Sequence, residues 1–126
     1  PVEFAGFHPD VWPFLADCDV LMVPSVSDES FGNTAVEGVL GMRPVIVSDV
    51  AGLVEATAPY STVRVVSIAD VQALASAVRD LVASPDSTSS GLAASRREAL
   101  TRHSPAVYRS AIASAVLTYA GEAPRP

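Results

Sequence analysis

The 126-residue sequence predicts an α/β fold built on a mainly parallel sheet with flanking helices. Three observations point there. VLMVPS and PVIVSD are continuous apolar runs, the pattern of strands buried on both faces. Helical patterning separates them, so strand and helix alternate along the chain. Hydrophobic residues make up 49% of the sequence, enough for a single domain of this length to bury a core.

Taken in order, VEFAGF (Val2 to Phe7) reads as a strand that ends at GFHP. VWPFLADC reads as a short helix with Pro13 in its first turn, where a proline costs no hydrogen bond. VLMVPS (Val20 to Ser25) is the next strand. A helix is expected from Asn33 to Leu40, stopped by Gly41. PVIVSD is a second buried strand and VRVV (Val63 to Val66) a third. Val71, Leu74, Val78, Leu81 and Val82 then repeat at helical spacing, with Ser67 and Asp70 as a cap signal. SPDSTSSG reads as a loop, and Leu92 to Arg102 as a polar, arginine-bearing helix. Ser104 and Pro105 open a last helix with Tyr108, Ile112, Val116 and Tyr119 on one stripe. Residues 1–120 are expected to form the domain and residues 121–126 a loose tail.

The net charge of −6 speaks against a nucleic-acid groove, so nucleic acid is not an expected partner, and against an anionic membrane surface. The single cysteine, Cys18, cannot form an internal disulfide, and a cytoplasmic setting is the default. It is expected in the core, as is Trp12. No apolar run approaches the ~18 residues of a membrane span. The sequence lacks an initiator methionine and opens inside a strand pattern, so a segment of a longer protein is expected. All eight basic residues are arginines, and the first is Arg43. Before it lie Glu3, Asp10, Asp17, Asp19, Asp28, Glu29 and Glu37, with His8 the one potential cation.

Ligands of parallel sheets sit beyond the carboxyl ends of the strands, which singles out the loop SVSDESFG. Gly32 permits close backbone approach at the start of the following helix. The free amides near Gly32, Asn33 and Thr34, aided by the helix dipole, suit an anion such as a diphosphate. Glu37 shares a helix face with Asn33 and Thr34 and can accept both hydrogen bonds of a vicinal diol such as a ribose. Glu29 can accept from sugar hydroxyls on the other side. TAVE has a structural alternative. It matches a capping box, with Thr34 as the cap and Glu37 reaching back to it.

The ordered set Pro24–Ser25, Glu29, Phe31–Gly32, Glu37, Pro44–Val45–Ile46, Gly52 and Glu55 resembles the donor-binding signature of retaining, GT-B fold, family 4 (group 1) glycosyltransferases. FAGFHPDVWPFLADCDV resembles the segment upstream of it. The resemblance implies a Rossmann-like donor domain, the C-terminal half of a GT-B fold and here incomplete. It makes Glu29 the catalytic-site residue that orients the donor sugar, with no covalent role. It gives Glu37 the ribose, the amides near Gly32, Asn33 and Thr34 the diphosphate, and the GFHPDV turn with His8 and Val11 the nucleobase. The co-substrate would be a nucleotide-diphosphate sugar, with no metal and no other cofactor. Gly38 stands where the family has alanine, and Gly41–Met42–Arg43 lacks the usual lysine.

The family's arginine-and-lysine loop and its N-terminal acceptor domain have no counterpart here, so this chain alone is expected to be inactive. Any peripheral membrane association of the intact enzyme is left open. His8 reads as a loop or base-pocket residue rather than an acid–base catalyst, and His103 as a polar helix end. Asp17, Asp19 and Asp28 match no calcium loop. Tyr108 and Tyr119 read as core or as a docking stripe. Two other functions fit the sequence: a non-catalytic α/β module that binds a nucleotide or a partner protein, and a GT-B sugar-nucleotide epimerase relative.

Overall fold

The structure is a computed structural model. It describes residues 2–122, the side chains of residues 85–89 and 122 excepted. Three parallel strands, β1 (Leu21–Val23), β2 (Val45–Ser48) and β3 (Val63–Val66), form one sheet in the order β1-β2-β3. The register places Met22 beside Ile46 and Ile46 beside Arg64. Among the described residues the chain also forms six helices: α1 (Trp12–Asp17), α2 (Asn33–Leu40), α3 (Ala51–Thr57), α4 (Val71–Ala83), α5 (Pro85–Arg102) and α6 (Pro105–Glu122). The expected fold class, a Rossmann-like parallel sheet with flanking helices, is the one observed.

Every residue of β2 is buried, because side chains alternate faces and both faces are covered. Val45 and Val47 join Ala35, Val39, Leu53, Tyr60 and Ala99 in a core beneath α2, α3 and α5. Ile46 points the other way and packs with Ala77 and Leu81 of α4. That second face is covered by α4, and the cover does not reach the sheet's edge. Ile46 is 1% exposed, whereas its register partner Met22 is 47% exposed. VLMVPS is therefore a three-residue edge strand, half-buried, rather than a strand buried on both faces.

Other expectations also fail for tertiary reasons. Val2 to Phe7 is not a strand. Its residues join no strand ladder among the described residues, and Val2, Phe4 and Phe7 stand in solvent. A strand exists by its ladder, and β1 pairs with β2 alone among the described residues. SPDSTSSG is not a loop but the opening of α5, where Pro85 occupies the first turn. Gly91 is no loop glycine either. A Cβ there would lie 3.0 Å from Thr62 Cγ2, so its smallness lets α5 pass close to residues 61 and 62. α5 is held by packing on α2, through buried Ser95 and Ala99, and by Arg96 Nε donating to the Leu40 carbonyl (3.1 Å).

Gly41 ends α2, but not by adopting a left-handed conformation. Met42 takes that conformation (φ 58°), and the Arg43 N–H donates to the Gly38 carbonyl (2.9 Å) to close the turn. Gly41 is small because a Cβ would press on Leu15 at 3.3 Å. Gly38, the departure from the family pattern, is similarly a packing glycine, since a Cβ would meet Leu21 Cδ2 at 2.5 Å and Val45 Cγ2 at 2.8 Å. Trp12 is exposed rather than core, and Cys18 is half-buried with its thiol donating to the Leu15 carbonyl (3.6 Å). Asp70 caps α4 by accepting from the Ala73 N–H (2.8 Å). In the α4 pattern Val71 and Val82 face solvent. The stripe on α6 is not core, for Tyr108, Ile112, Val116 and Tyr119 are all exposed. α6 includes Gly121 and Glu122, two positions expected in the tail, and residues 123–126 lie outside the described residues. Among the described residues no helix is long and apolar enough to cross a membrane.

Candidate functional site

The loop that leaves β1 turns into α2 at Gly32, whose backbone is left-handed (φ 77°, ψ 42°). Two constraints meet there. An L-residue is disfavoured in that conformation, and a Cβ would also lie 2.6 Å from Leu53 Cδ2. Gly32 is the N-cap of α2, and no side chain caps the helix. Its carbonyl accepts from the N–H groups of Ala35 (3.0 Å) and Val36 (3.3 Å). The N–H groups of Asn33 and Thr34, which precede the first intrahelical donors, have no partner among the described residues.

This removes the capping box. Thr34 is the second residue of the helix rather than its cap, and Glu37 does not reach back. The Glu37 carboxylate is half-buried on α2 and has neither a hydrogen bond nor an ion pair among the described residues. The same holds for the half-buried carboxylate of Glu29. The backbone carrying Glu29 is fixed from below by Gly52 of α3, where a Cβ would collide with the Glu29 carbonyl oxygen and lie 3.0 Å from the Ser30 carbonyl carbon. Gly52 thus lets α3 seat directly against the loop.

A cleft of about 790 Å³ opens beside this turn. One wall consists of Ser30, Phe31, Asn33, Gly52, Glu55 and Ala56. The other comes from the end of α5 and the start of α6: Arg102, His103, Pro105, Val107, Tyr108 and Ala111. Of the residues expected from the sequence, Asn33 lines this cleft. Gly32 adjoins it, and Glu29, Thr34 and Glu37 lie on the same loop and helix without lining it. His8 and Val11 do not line it. They sit at the entrance to α1, where the His8 ring leans on Phe14 (centroids 4.5 Å apart) and its Nε2 bonds to the Ala5 carbonyl at 2.8 Å. The Asp10 carboxylate accepts from the Trp12 N–H (3.0 Å) just ahead of α1, whose N-cap is Val11.

Sequence reasoning left out the second wall. His103, read as a polar helix end, stands in the cleft. Its Nε2 is 2.8 Å from the Tyr60 hydroxyl, and its ring meets Phe31 edge-on at 5.7 Å. Burial, with the Arg102 guanidinium second, holds the imidazole below the usual histidine range. Burial likewise raises the Tyr60 phenol above its ordinary value, with a smaller lowering influence from Arg102 and a smaller raising one from Glu98. Arg102 qualifies the picture of a site without cations, since it lines the same cleft as Asn33 although it lies 69 residues further along the chain. No local pattern marks either residue, because both are delivered by the end of a long polar helix. Among the described residues no three His, Cys, Asp or Glu side chains gather as a metal ion would require.

Residues 1–84 match the family of glycosyl transferases group 1. The chain belongs to that family. No curated protein matches this glycosyl transferase chain. Two solved structures resemble it, Anabaena HepE in complex with UDP and the same protein with UDP and glucose. In each case the TM-score is 0.84 and the identity 22%, over 92% of this chain and 32% of the other. The likeness fixes the fold, and this group 1 chain spans about a third of the length of HepE.

Proposed function

We propose that this chain is the donor-binding segment of a retaining, family 4 glycosyltransferase of GT-B architecture. The intact enzyme would transfer a sugar, of hexose type, from a nucleotide-diphosphate sugar to an acceptor held by a second domain. The observation that carries this reading is the uncapped start of α2, where the amides of Asn33 and Thr34 and the carboxylates of Glu29 and Glu37 have no partner among the described residues. Membership of the group 1 family supports it, and so does the UDP bound by the similar HepE.

In this reading the diphosphate sits on the amides of Gly32, Asn33 and Thr34, where the helix dipole adds about 0.3–1 kcal/mol at an exposed terminus. Glu37 accepts from the ribose diol. Glu29, on the opposite side, orients the sugar through its hydroxyls and is not a covalent nucleophile. As the sugar departs, charge grows on the leaving diphosphate, and amides already aimed there stabilise it without reorganising. The design requires no metal. His8 and Val11 would border the base. Residues 1–120 would form the donor unit, in a cytoplasmic enzyme.

The test is a titration of the 126-residue chain with UDP-glucose and GDP-mannose, followed by NMR. Shifts confined to Gly32, Asn33, Thr34 and Glu37 at ligand concentrations on the order of millimolar, equivalent to about 4 kcal/mol, are expected. Catalysis of transfer by this chain alone is not expected. No response at those amides, or a response centred elsewhere, would sink the assignment.

A further inference from the structure

Phe31 is the last residue before the left-handed turn at Gly32, and its own loop does not hold it. Its ring is half exposed and rests edge-on against the His103 imidazole, the two planes 86° apart. His103 is held in turn by Tyr60, through the 2.8 Å hydrogen bond between Nε2 and the phenolic oxygen. Tyr60 is immobile. It is 3% exposed, belongs to the main core, and its backbone is tied to Thr57 (N–H to carbonyl, 2.9 Å) and to Val63 (carbonyl accepting at 3.1 Å). The core, Tyr60, His103, Phe31 and Gly32 thus form one line of contact across three distant parts of the chain.

We propose that His103 is a positioning residue for the donor loop: clamped by Tyr60, its imidazole sets the ring of Phe31 and with it the Gly32–Asn33 turn. The proposal rests on the donor-binding reading of that turn. The clamp depends on the protonation of the imidazole. A neutral Nε2 accepts the Tyr60 hydroxyl proton. A protonated Nε2 becomes a donor, so the hydroxyl must turn its own proton away, and among the described residues it has no second partner. The ionisable groups around the pair are Arg102 and Glu98 on α5, Glu55 on α3 and Tyr108 on α6. Burial and Arg102 both favour the neutral imidazole, whose Nε2 can accept the Tyr60 hydroxyl proton when the ring proton is on Nδ1.

The experiment is an amide NMR titration of the full 126-residue chain from about pH 8 to about pH 5 without ligand, a range that spans histidine titration. The amides of Phe31, Gly32 and Asn33 are expected to move together, with the midpoint of the His103 imidazole and below the ordinary histidine value. In Tyr60→Phe the midpoint rises and the movement at Phe31–Asn33 shrinks. In His103→Gln it disappears. Movement that follows His8 instead, that persists in His103→Gln, or that is unchanged in Tyr60→Phe overturns the proposal. Tyr60→Phe decides alone should His103→Gln not fold. No nucleotide enters this titration, so the two ideas fail separately. A wild-type chain unresponsive to uridine diphosphate counts against donor binding. Amides of Phe31–Asn33 that ignore His103 count against positioning.

Discussion

The two walls of the cleft are built in opposite ways. The wall from Ser30 to Asn33, with Gly52 and Glu55, comes from the loop into α2 and from α3, and it adjoins recognisable chemistry: a left-handed glycine, free amides and acids. The wall of Arg102, His103 and Tyr108 has no motif of its own and arrives at the end of an 18-residue polar helix. The first wall owes its shape to backbone geometry that only glycine allows. The second owes its shape to side-chain contacts that many sequences could supply. The comparison teaches that the motif wall should be brittle toward glycine substitution and the helical wall tolerant, with effects there confined to tuning.

The largest effect should come from breaking the support of the motif wall. Gly52→Ala forces a methyl group into the Glu29–Ser30 backbone, which cannot yield as a side chain can. A loss of about 3 kcal/mol is expected in urea unfolding, at the upper end for overpacking, with the chemical shifts of Glu29 and Ser30 displaced. Gly32→Ala should cost slightly less, about 2 kcal/mol, since Leu53 Cδ2 can rotate away but the left-handed backbone remains strained. Equal and negligible losses for both would show that the loop is not held as described.

Glu37→Gln sharpens the comparison by separating chemistry from stability. Because Glu37 has no partner among the described residues, the melting temperature should hardly change, while nucleoside diphosphate binding should weaken by about 1–3 kcal/mol, measured by calorimetry or NMR. The reverse outcome would restore a structural role for this acid. Glu29→Ala should spare the bare nucleoside diphosphate and weaken only the nucleotide-sugar. Equal weakening of both ligands would end the division of labour between the two acids.

The smallest effect is expected from the helical wall. His103 binds its proton less readily when folded than the ordinary value of about 6.5 implies. Between those two values the unfolded chain carries the extra proton. The stabilisation from His103 is therefore complete above about pH 6.5, declines as pH falls below it, and levels off below the folded value. In His103→Gln this part of the profile should flatten, as read from unfolding curves across that range.

The elements whose reasons are local could be read directly. The apolar run of β2, the cap of α4 at Asp70 and the bounds of α2 each follow from residues within a few positions of one another. The family was also legible, since the match to glycosyl transferases group 1 spans the residues that carry the resemblance. What could not be read was decided by partners far along the chain. VEFAGF has a strand's composition but no ladder to join. Met22 is exposed because α4 covers Ile46 and not the sheet's edge. SPDSTSSG opens α5, a helix whose later residues Arg96 and Ala99 are held by the Leu40 carbonyl and the main core. Thr34 could have been a cap until the backbone placed Gly32 there. His103 and Arg102 became part of a cleft only when α5 delivered them beside Phe31 and Asn33. The sequence by itself determined the fold class and the chemistry of the motif wall, because backbone conformation and hydrogen-bonding capacity are properties of neighbouring residues. Tertiary structure alone decided which strands are edges, which helices are covered and what stands opposite the motif, because burial and contact depend on residues that the chain brings together only by folding.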